Sequence, residues 1–269
     1  MAYEKHFDKV VDLKKEGAIA TISFICPENS NKMNEQWVDE YGTALRDAMD
    51  DRAIRVIVLT AQGDVFMGQG DLALMIAPVM MKGVSYARAI MHDIGDIVRT
   101  MYHGPKPIIA AVDGLAIGGG CGITLSSDII YASEKAAFNE ALFAKSCLPC
   151  DSGGLWSLQR LVGTQNAKHL ALSPEGVGAE EAYRLGLVAR LISSDKLYDE
   201  VYVLANYIAS LSPVGVQAIK QISNRLPEYS LDTYLQLEAE YISNGINSHD
   251  FKELVSAIGE QRAPAYTGD

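Results

Sequence analysis

Three consecutive glycines, Gly118 to Gly120, separate an apolar run from a helix-like stretch in GLAIGGGCGITLSSD, residues 114–128. A strand that ends there and opens a helix leaves unpaired N–H groups at the positive end of the helix dipole. Because glycine has no Cβ, a ligand atom can approach this backbone closely. The pattern therefore favours binding of a permanent or transient anion. The structural alternative is that the glycines only let a helix pack closely on a sheet.

A second glycine segment, GDVFMGQGDLALM at residues 63–75, also lies after a strand and before an apolar helix. Two such strand ends can meet in space and offer two N–H donors to one oxygen, which is an oxyanion hole. The first segment, Gly118 to Gly122, fits neither a dinucleotide nor a phosphate motif, because G-x-G-x-x-G and Gly-Lys-Ser/Thr are both absent from it. The pair of segments therefore predicts chemistry at a carbonyl oxygen.

Cys147 and Cys150 have the C-x-x-C spacing of a redox pair. They lie in the middle of the chain, however, and no second C-x-x-C or histidine pair completes a zinc site. The alternatives are a redox or metal role and a pair of buried or half-buried thiols. We expect the second, and we predict no metal site.

Alternating strands and helices must position these residues. Strands are predicted at 18–25, 54–62 and 106–116, and a strand, a turn and a short strand at 127–139; a helix is predicted over 35–51. Helical periodicity follows at 153–172, 180–188 and 196–211, and from about Ser212 the chain reads as amphipathic helices only. The near-continuous apolar strands indicate an α/β fold with parallel strands that are buried on both faces.

Composition limits the possible partners. With 269 residues, 48% of them hydrophobic, the chain can form one large domain or a domain with a small appendage. A net charge of −11 argues against broad nucleic-acid binding but not against an anionic small molecule. The sequence contains no apolar run long enough for a membrane span and no signal-peptide core, so we expect a soluble cytoplasmic protein.

The order and spacing of several blocks resemble the crotonase (enoyl-CoA hydratase/isomerase) superfamily over nearly the whole chain. The blocks are VFMGQGDLALM, KPIIAAVDGLAIGGGCGITLSSDIIYASEKAAF, LWSLQRLVG and EEAYRLGLVARLI. The resemblance implies an α/β, ClpP/crotonase-like spiral of ββα turns, here over 1–205. It also implies a helical region, here over 206–269, that builds homotrimers or dimers of trimers. A thioester carbonyl would sit in the hole, with the N–H groups of Gly70 and Gly119 as donors and an enolate formed beside it.

The chain departs from the hydratases of this superfamily at both catalytic glutamates. Gly122 stands where the first is usual, and Leu142 stands at the place of the second. Glu140 is two positions before Leu142 and on an extended segment could share its face, so it is either a substitute acid or a solvated loop carboxylate. Syn-hydration needs two carboxylates around one water, and we therefore expect a different reaction.

Asp151 is the side chain that the resemblance favours. Counted back from LVG, it matches an aspartate that moves a proton in dienoyl-CoA isomerases and acts as nucleophile in 4-chlorobenzoyl-CoA dehalogenases. GGGCGITLSSD also resembles the dehalogenase motif, and His92 lies within about one helical turn of the dehalogenase histidine. The alternatives are a helix N-cap for Asp151 and a surface position for His92. Burial should raise the pKa of Asp151, and a nearby helix N-terminus would oppose this.

The substrate is less defined than the fold. Superfamily members usually carry basic residues after the first-loop proline to meet the CoA phosphates; here Lys32 is the nearest cation. Substrate contacts are predicted for Lys32, Gln69, Leu74, Leu142 and Phe143; the last two replace the dehalogenase tryptophan. CoA would be part of the substrate, and no separate cofactor is expected.

Three functions stay open from the sequence. The first is isomerisation or hydrolysis of an acyl-CoA with Asp151 as the sole carboxylate. The second is CoA-independent C–C hydrolysis of a β-diketone, as in relatives that resemble 6-oxocamphor hydrolase. The third is a catalytically silent binding or assembly protein, against which the retention of both glycine segments weighs.

Overall fold

Ten strands form two sheets in the part of the chain that the computed structural model describes, residues 6–173 and 175–269. The strands are β1 (Val11–Glu16), β2 (Ile19–Phe24), β3 (Val56–Ala61), β4 (Val65–Met67), β5 (Ile108–Val112), β6 (Leu115–Ile117), β7 (Ile129–Ala132), β8 (Ala137–Asn139), β9 (Val177–Gly178) and β10 (Arg190–Leu191). The larger sheet has the order β1-β2-β3-β5-β7-β10, and the smaller has the order β4-β6-β8-β9.

Helices connect and cover these sheets. They are α1 (Glu35–Asp50), α2 (Ala77–Lys82), α3 (Val84–His103), α4 (Gly119–Leu125), α5 (Leu142–Lys145), α6 (Gly154–Leu172), α7 (Ala179–Leu185), α8 (Leu197–Ser210), α9 (Pro213–Arg225), α10 (Leu231–Asn247) and α11 (His249–Glu260). A π-helical turn at Leu72–Ile76 precedes α2.

Successive strand pairs divide between the two sheets. In the pairs β3/β4, β5/β6 and β7/β8, the first strand joins the larger sheet and the second joins the smaller one. Helices follow each pair, so the chain repeats a ββα unit. The predicted α/β fold with a crotonase-like ββα spiral is confirmed.

The larger sheet is mainly parallel and is buried on both faces. The side chains of Val56, Ile57, Val58 and Leu59 in β3 are completely buried. One core contains Ile57 and Leu59, and a second core contains Val56 and Val58 together with buried residues of α8. The alternating side chains of one strand thus enter two cores, which explains its continuous apolar sequence.

The strands predicted from the sequence were incomplete. The single strand predicted over 106–116 is divided into β5 and β6, because the chain turns at Gly114, where a Cβ would lie 2.3 Å from the carbonyl oxygen of Asp64. The edge strand β1, with sequence VDLKKE, was not predicted. It pairs antiparallel with β2 and is largely exposed, so it lacks the apolar run that marked the central strands.

The helical tail is attached to the rest of the chain by a buried cation. Lys220 of α9 donates to the carbonyl oxygens of Met101 at 2.7 Å and Lys106 at 2.8 Å, and its Nζ lies 2.8 Å from Oδ2 of Asp128. The predicted division into 1–205 and 206–269 falls inside α8 and stays a prediction.

Candidate active site

Gly70 lies where the second glycine segment, residues 63–75, leaves the smaller sheet. It forms an isolated parallel bridge with Met33, in which Met33 N–H donates to Gln69 O at 3.1 Å and Asp71 N–H donates to Met33 O at 2.7 Å. These two hydrogen bonds use the carbonyl group of Gln69 and the N–H group of Asp71, which are the residues on either side of Gly70. In such a bridge the N–H of the central residue points away from the partner strand. The amide of Gly70 therefore faces away from Met33.

Gly119 is the first residue of α4, so its N–H has no acceptor within the helix. The preceding Gly118 has φ 56° and ψ −130°, a backbone conformation that glycine adopts readily. A Cβ on Gly118 would lie 3.1 Å from Cβ of Gln69. The two glycine segments thus lie next to each other. That the amides of Gly70 and Gly119 bind one oxygen stays a prediction.

Asp151 lies beside the second of these amides. A Cβ on Gly119 would be 2.8 Å from Oδ1 of Asp151, which also accepts a hydrogen bond of 2.9 Å from the Ser152 hydroxyl. Burial raises the pKa of Asp151, and the Ser152 hydrogen bond opposes this. The N-cap of α6 is Gly153, without a side-chain capping bond. Asp151 does not cap the helix, and its carboxylate is directed to the glycine segment.

Gly122 leaves no space for the hydratase glutamate. A Cβ at this position would lie 2.8 Å from Asp151 O and 3.0 Å from Ser152 O, both of which are backbone atoms. Gly154 N–H donates to Asp151 O at 2.7 Å and fixes this turn. The segment 151–154 thus occupies the volume that a side chain on residue 122 would need.

Glu140 is a buried acid, not a solvated loop carboxylate. Its exposed fraction is 2%, and neither carboxyl oxygen has a hydrogen-bond partner in the described structure. A Cβ on Gly154 would lie 2.4 Å from its Oε1. Burial, followed by the charge of Asp151, raises the pKa of Glu140 to about 8, while the thiols of Cys150 and Cys121 oppose this.

The other predicted site residues divide into two groups. Gln69, Leu74, Leu142 and Phe143 are half-buried, and a ring carbon of Phe143 would lie 3.8 Å from a Cβ on Gly118. Lys32 is also half-buried, beside Gly68, where a Cβ would be 2.9 Å from its Cγ. His92 is exposed on α3, and no hydrogen bond or ion pair of the described residues connects it to Asp151.

The sequence and fold are similar to known enzymes. The Enoyl-CoA hydratase/isomerase family model matches residues 14–269. The chain is 32% identical to the 1,2-epoxyphenylacetyl-CoA isomerase of Escherichia coli over 253 residues, which cover 94% of this chain and 96% of the relative. It is also 32% identical to the short-chain-enoyl-CoA hydratase of Clostridium acetobutylicum, with coverage of 94% and 95%.

The chain belongs to the enoyl-CoA hydratase/isomerase family. A crystal structure of an enoyl-CoA hydratase from Bacillus anthracis superimposes on it with a TM-score of 0.89 at 26% identity, covering 97% of this chain and all of the other. The predicted superfamily resemblance is confirmed.

Two residues of this enoyl-CoA hydratase/isomerase family member were missed by sequence reasoning. Asp71 accepts hydrogen bonds of 2.8 Å from the amides of Ala73 and Leu74, so it caps the turn directly after Gly70. An aspartate before an apolar helical run is a recognisable N-cap signal. Met33 was missed as well; its sulfur would lie 2.9 Å from a Cβ on Gly119. It carries no local signal, because its contact depends on the tertiary fold.

The thiols of this family member are all free. Cys26 and Cys121 are buried and Cys150 is half-buried, but Cys147 is exposed, contrary to the expectation of a buried or half-buried pair. Within residues 6–173 and 175–269, no group of three His, Cys, Asp or Glu side chains is arranged to hold a metal ion. Over the same ranges, no helix combines the length and hydrophobicity of a membrane span.

Proposed function

We propose that this protein is an acyl-CoA isomerase that shifts a proton through a thioester enolate, with Asp151 as its base. One observation carries this proposal: the carboxylate of Asp151 lies beside Gly119, the first residue of α4, with its Oδ1 at 2.8 Å from a Cβ position on that residue. The name of the Escherichia coli relative, 1,2-epoxyphenylacetyl-CoA isomerase, supports both the CoA thioester and the reaction class.

The proposed chemistry follows from the two amides and one carboxylate. The thioester oxygen accepts hydrogen bonds from the N–H groups of Gly70 and Gly119, which stabilise the negative charge that develops there. Asp151 removes a proton from the carbon next to the carbonyl and returns it to a different carbon of the conjugated system. The enolate formed between these steps holds the electron pair, so no water, metal or redox partner is needed.

Hydration is less well supported by the same residues. Addition of water needs one group to activate the water and a second to protonate carbon. Position 122 cannot carry a glutamate, since backbone oxygens of residues 151 and 152 lie within about 3 Å of its Cβ position. Leu142 supplies no carboxylate at the second place. A base that acts alone is sufficient for isomerisation.

Lys32 is the proposed contact for the anionic part of CoA. It is half-buried, and its side chain packs against Gly68 in the segment that leads to Gly70. Its charge also contributes to the lowered pKa of Asp71: burial raises that pKa, but the amides of Leu74 and Ala73 and the positive charge outweigh it. The proximity of Lys32 to Gly68 and Asp71, on either side of Gly70 in the chain, supports the proposed contact.

The test is proton exchange and double-bond migration in D₂O with 3-enoyl-CoA and 2-enoyl-CoA substrates. We expect migration with deuterium incorporated, and Asp151→Asn should lower kcat by at least about a hundredfold with little change in affinity. Asp96→Asn, an exposed aspartate on α3, is the matched control and should keep wild-type kcat.

Four outcomes would contradict the proposal. Accumulation of a 3-hydroxyacyl-CoA would indicate hydration, and release of free CoA would indicate thioester hydrolysis. Cleavage of a cyclic β-diketone without CoA would favour a C–C hydrolase. Calorimetric binding of acetyl-CoA without any exchange would favour a silent binding protein.

A further inference from the structure

Glu140 is a buried acid next to the proposed base, and the isomerisation step does not use it. The segment 150–154 connects the two acids. Asp151 belongs to this segment and lies beside Gly119 of the glycine-rich helix α4, and Oε1 of Glu140 lies 2.4 Å from a Cβ position on Gly154. Glu140 is therefore a neighbour of Asp151 without an evident opening to the substrate.

No positively charged group in the described part of the chain acts on Glu140. The titratable groups that act on it are the carboxylate of Asp151 and the thiols of Cys121 and Cys150, on α4 and on the turn before α6. Burial of an ionised carboxylate without a hydrogen-bond partner costs far more free energy than burial of the neutral acid. Two carboxylates at one site also repel each other, so a pair of this kind holds one proton more readily than none.

We propose that Glu140 is a positioning residue that keeps one proton in the working enzyme, so that the Glu140–Asp151 pair carries a single negative charge located on Asp151. This inference rests on the proposed function of Asp151 as the base. Asp151 takes the charge because it is the more exposed of the two and has the Ser152 hydroxyl as a donor. Glu140 keeps the proton because it is the more buried of the two and its oxygens have only the weak thiol donors of Cys121 and Cys150 nearby.

The proton on Glu140 has a consequence for the enolate. If Glu140 ionises, a second negative charge lies beside the site where the oxyanion forms, and like charges at short range in a low-dielectric interior repel strongly. Turnover should therefore fall as Glu140 loses its proton, with a midpoint near its pKa of about 8. The thiols do not explain such a loss, because burial raises the pKa of Cys150 to about 12 and that of Cys121 well above the usual value.

The kinetic test compares pH profiles of wild type, Glu140→Gln and the control Glu180→Gln, an exposed glutamate of α7. We expect kcat of wild type and of the control to fall about tenfold one pH unit above the midpoint. Glu140→Gln should keep kcat within about threefold of wild type at pH 7 and lose the alkaline decline. A decline that persists unchanged in Glu140→Gln, or a hundredfold loss at pH 7, would overturn the proposal.

A spectroscopic test needs no substrate and separates this inference from the proposed function. In protein with ¹³C-labelled glutamate carboxyl groups, one resonance should titrate near pH 8 in wild type and be absent in Glu140→Gln. In Asp151→Asn the same resonance should titrate at lower pH, because the neighbouring negative charge is gone. If every glutamate titrates near pH 4.5, or if Asp151→Asn leaves the raised value unchanged, the inference is wrong even where isomerase activity is present.

If Glu140→Gln fails to fold, the titration of the glutamate resonance in wild type and in Asp151→Asn is sufficient to test the inference. If the resonance behaves as expected but no isomerase activity is found, the inference that Glu140 holds the proton of the Glu140–Asp151 pair is supported, and only the proposed reaction is contradicted.

Discussion

At the scale of single residues, two backbone amides and one carboxylate define the candidate site. Among the described residues, Gly70 and Gly119 provide N–H groups without a strand or helix partner, and Asp151 provides a carboxylate beside Gly119. Glycine is needed at 119 for a steric reason as well, since a Cβ there would meet Asp151 and Met33 at less than 3 Å. Experiments must therefore separate the effect of the Gly119 N–H group from the steric effect of a side chain at this position.

Replacement of Gly119 by proline and by alanine makes this separation. Both variants add atoms near Asp151, but only Gly119→Pro removes the N–H. Loss of one oxyanion donor should cost Gly119→Pro a further hundredfold to thousandfold in kcat relative to Gly119→Ala, about 2.7–4 kcal/mol. Steady-state kinetics on variants shown to be folded by circular dichroism provide the measurement. Equal activities of the two variants would exclude the amide as a donor.

Glu140 gives a prediction for stability against pH. Its pKa is raised from 4.5 to about 8 in the native protein, so between these values the native state binds more protons than the unfolded state. Stability contributed at this position should therefore fall as pH rises through that window, by about 1.4 kcal/mol for each pH unit. Glu140→Gln should remove this slope, so its stability relative to wild type should increase from pH 5 to pH 8. Urea unfolding of both proteins at pH 5 and at pH 8 measures this difference in stability. A difference that does not change with pH would contradict the raised pKa of Glu140.

At the scale of elements, the contact of α4 with the segment 151–154 fixes the site. Gly122 allows the helix to approach the backbone of this segment, and Gly120 allows it to approach β4, where a Cβ would lie 2.4 Å from Met67 O. The close packing brings the start of α4, Asp151 and Gln69 together. It also excludes the glutamate that hydratases of this family carry at position 122.

A single methyl group should disturb this contact. Gly122→Ala places a Cβ within about 3 Å of fixed backbone oxygens, so we expect a loss of about 1–3 kcal/mol in the free energy of unfolding. Gly215→Ala is the matched control in α9, because nothing lies within 4 Å of its Cβ position; it should be neutral or stabilising. Chemical denaturation of both variants measures the difference. A Gly122→Ala protein as stable as wild type would mean that the segment moves away at little cost.

At the scale of the whole molecule, the helical tail leaves apolar side chains exposed. Leu235, Ile242 and Ile246 lie on one face of α10 and are 48%, 56% and 51% exposed; Val255 and Ile258 of α11 are 57% and 68% exposed. Clustered apolar surface of this kind is typical of a protein interface. The proposed occupant is a second and third copy of the chain, as the superfamily resemblance implies.

Sedimentation velocity tests the assembly. We expect a trimer or hexamer at micromolar concentration. Leu235→Glu/Ile242→Glu should shift the population to smaller species, because two charges would be buried at the interface. Helix content by circular dichroism should stay unchanged, since both side chains are exposed in the single chain. A wild-type protein that sediments as a stable monomer would refute the prediction.

The sequence by itself determined the fold class and indicated the backbone part of the candidate site. Apolar runs identified the central strands, and the two glycine segments indicated paired amides, because both signals depend on local patterns of residue type. The absence of glutamate at positions 122 and 142 was visible as well. The position of Asp151 in the chain identified it as a candidate, but the sequence did not show that this residue is not the N-cap of α6.

Only the tertiary structure decided the environment of the acids. Glu140 could have been a solvated loop residue, and its burial comes from contacts with Gly154, Cys121 and Cys150, all of which lie ten or more residues away in the chain. The exposure of His92 and the closure of position 122 by residues 151 and 152 are also results of long-range packing. Burial and charge proximity set pKa values, and neither is encoded in the residue type or its immediate neighbours.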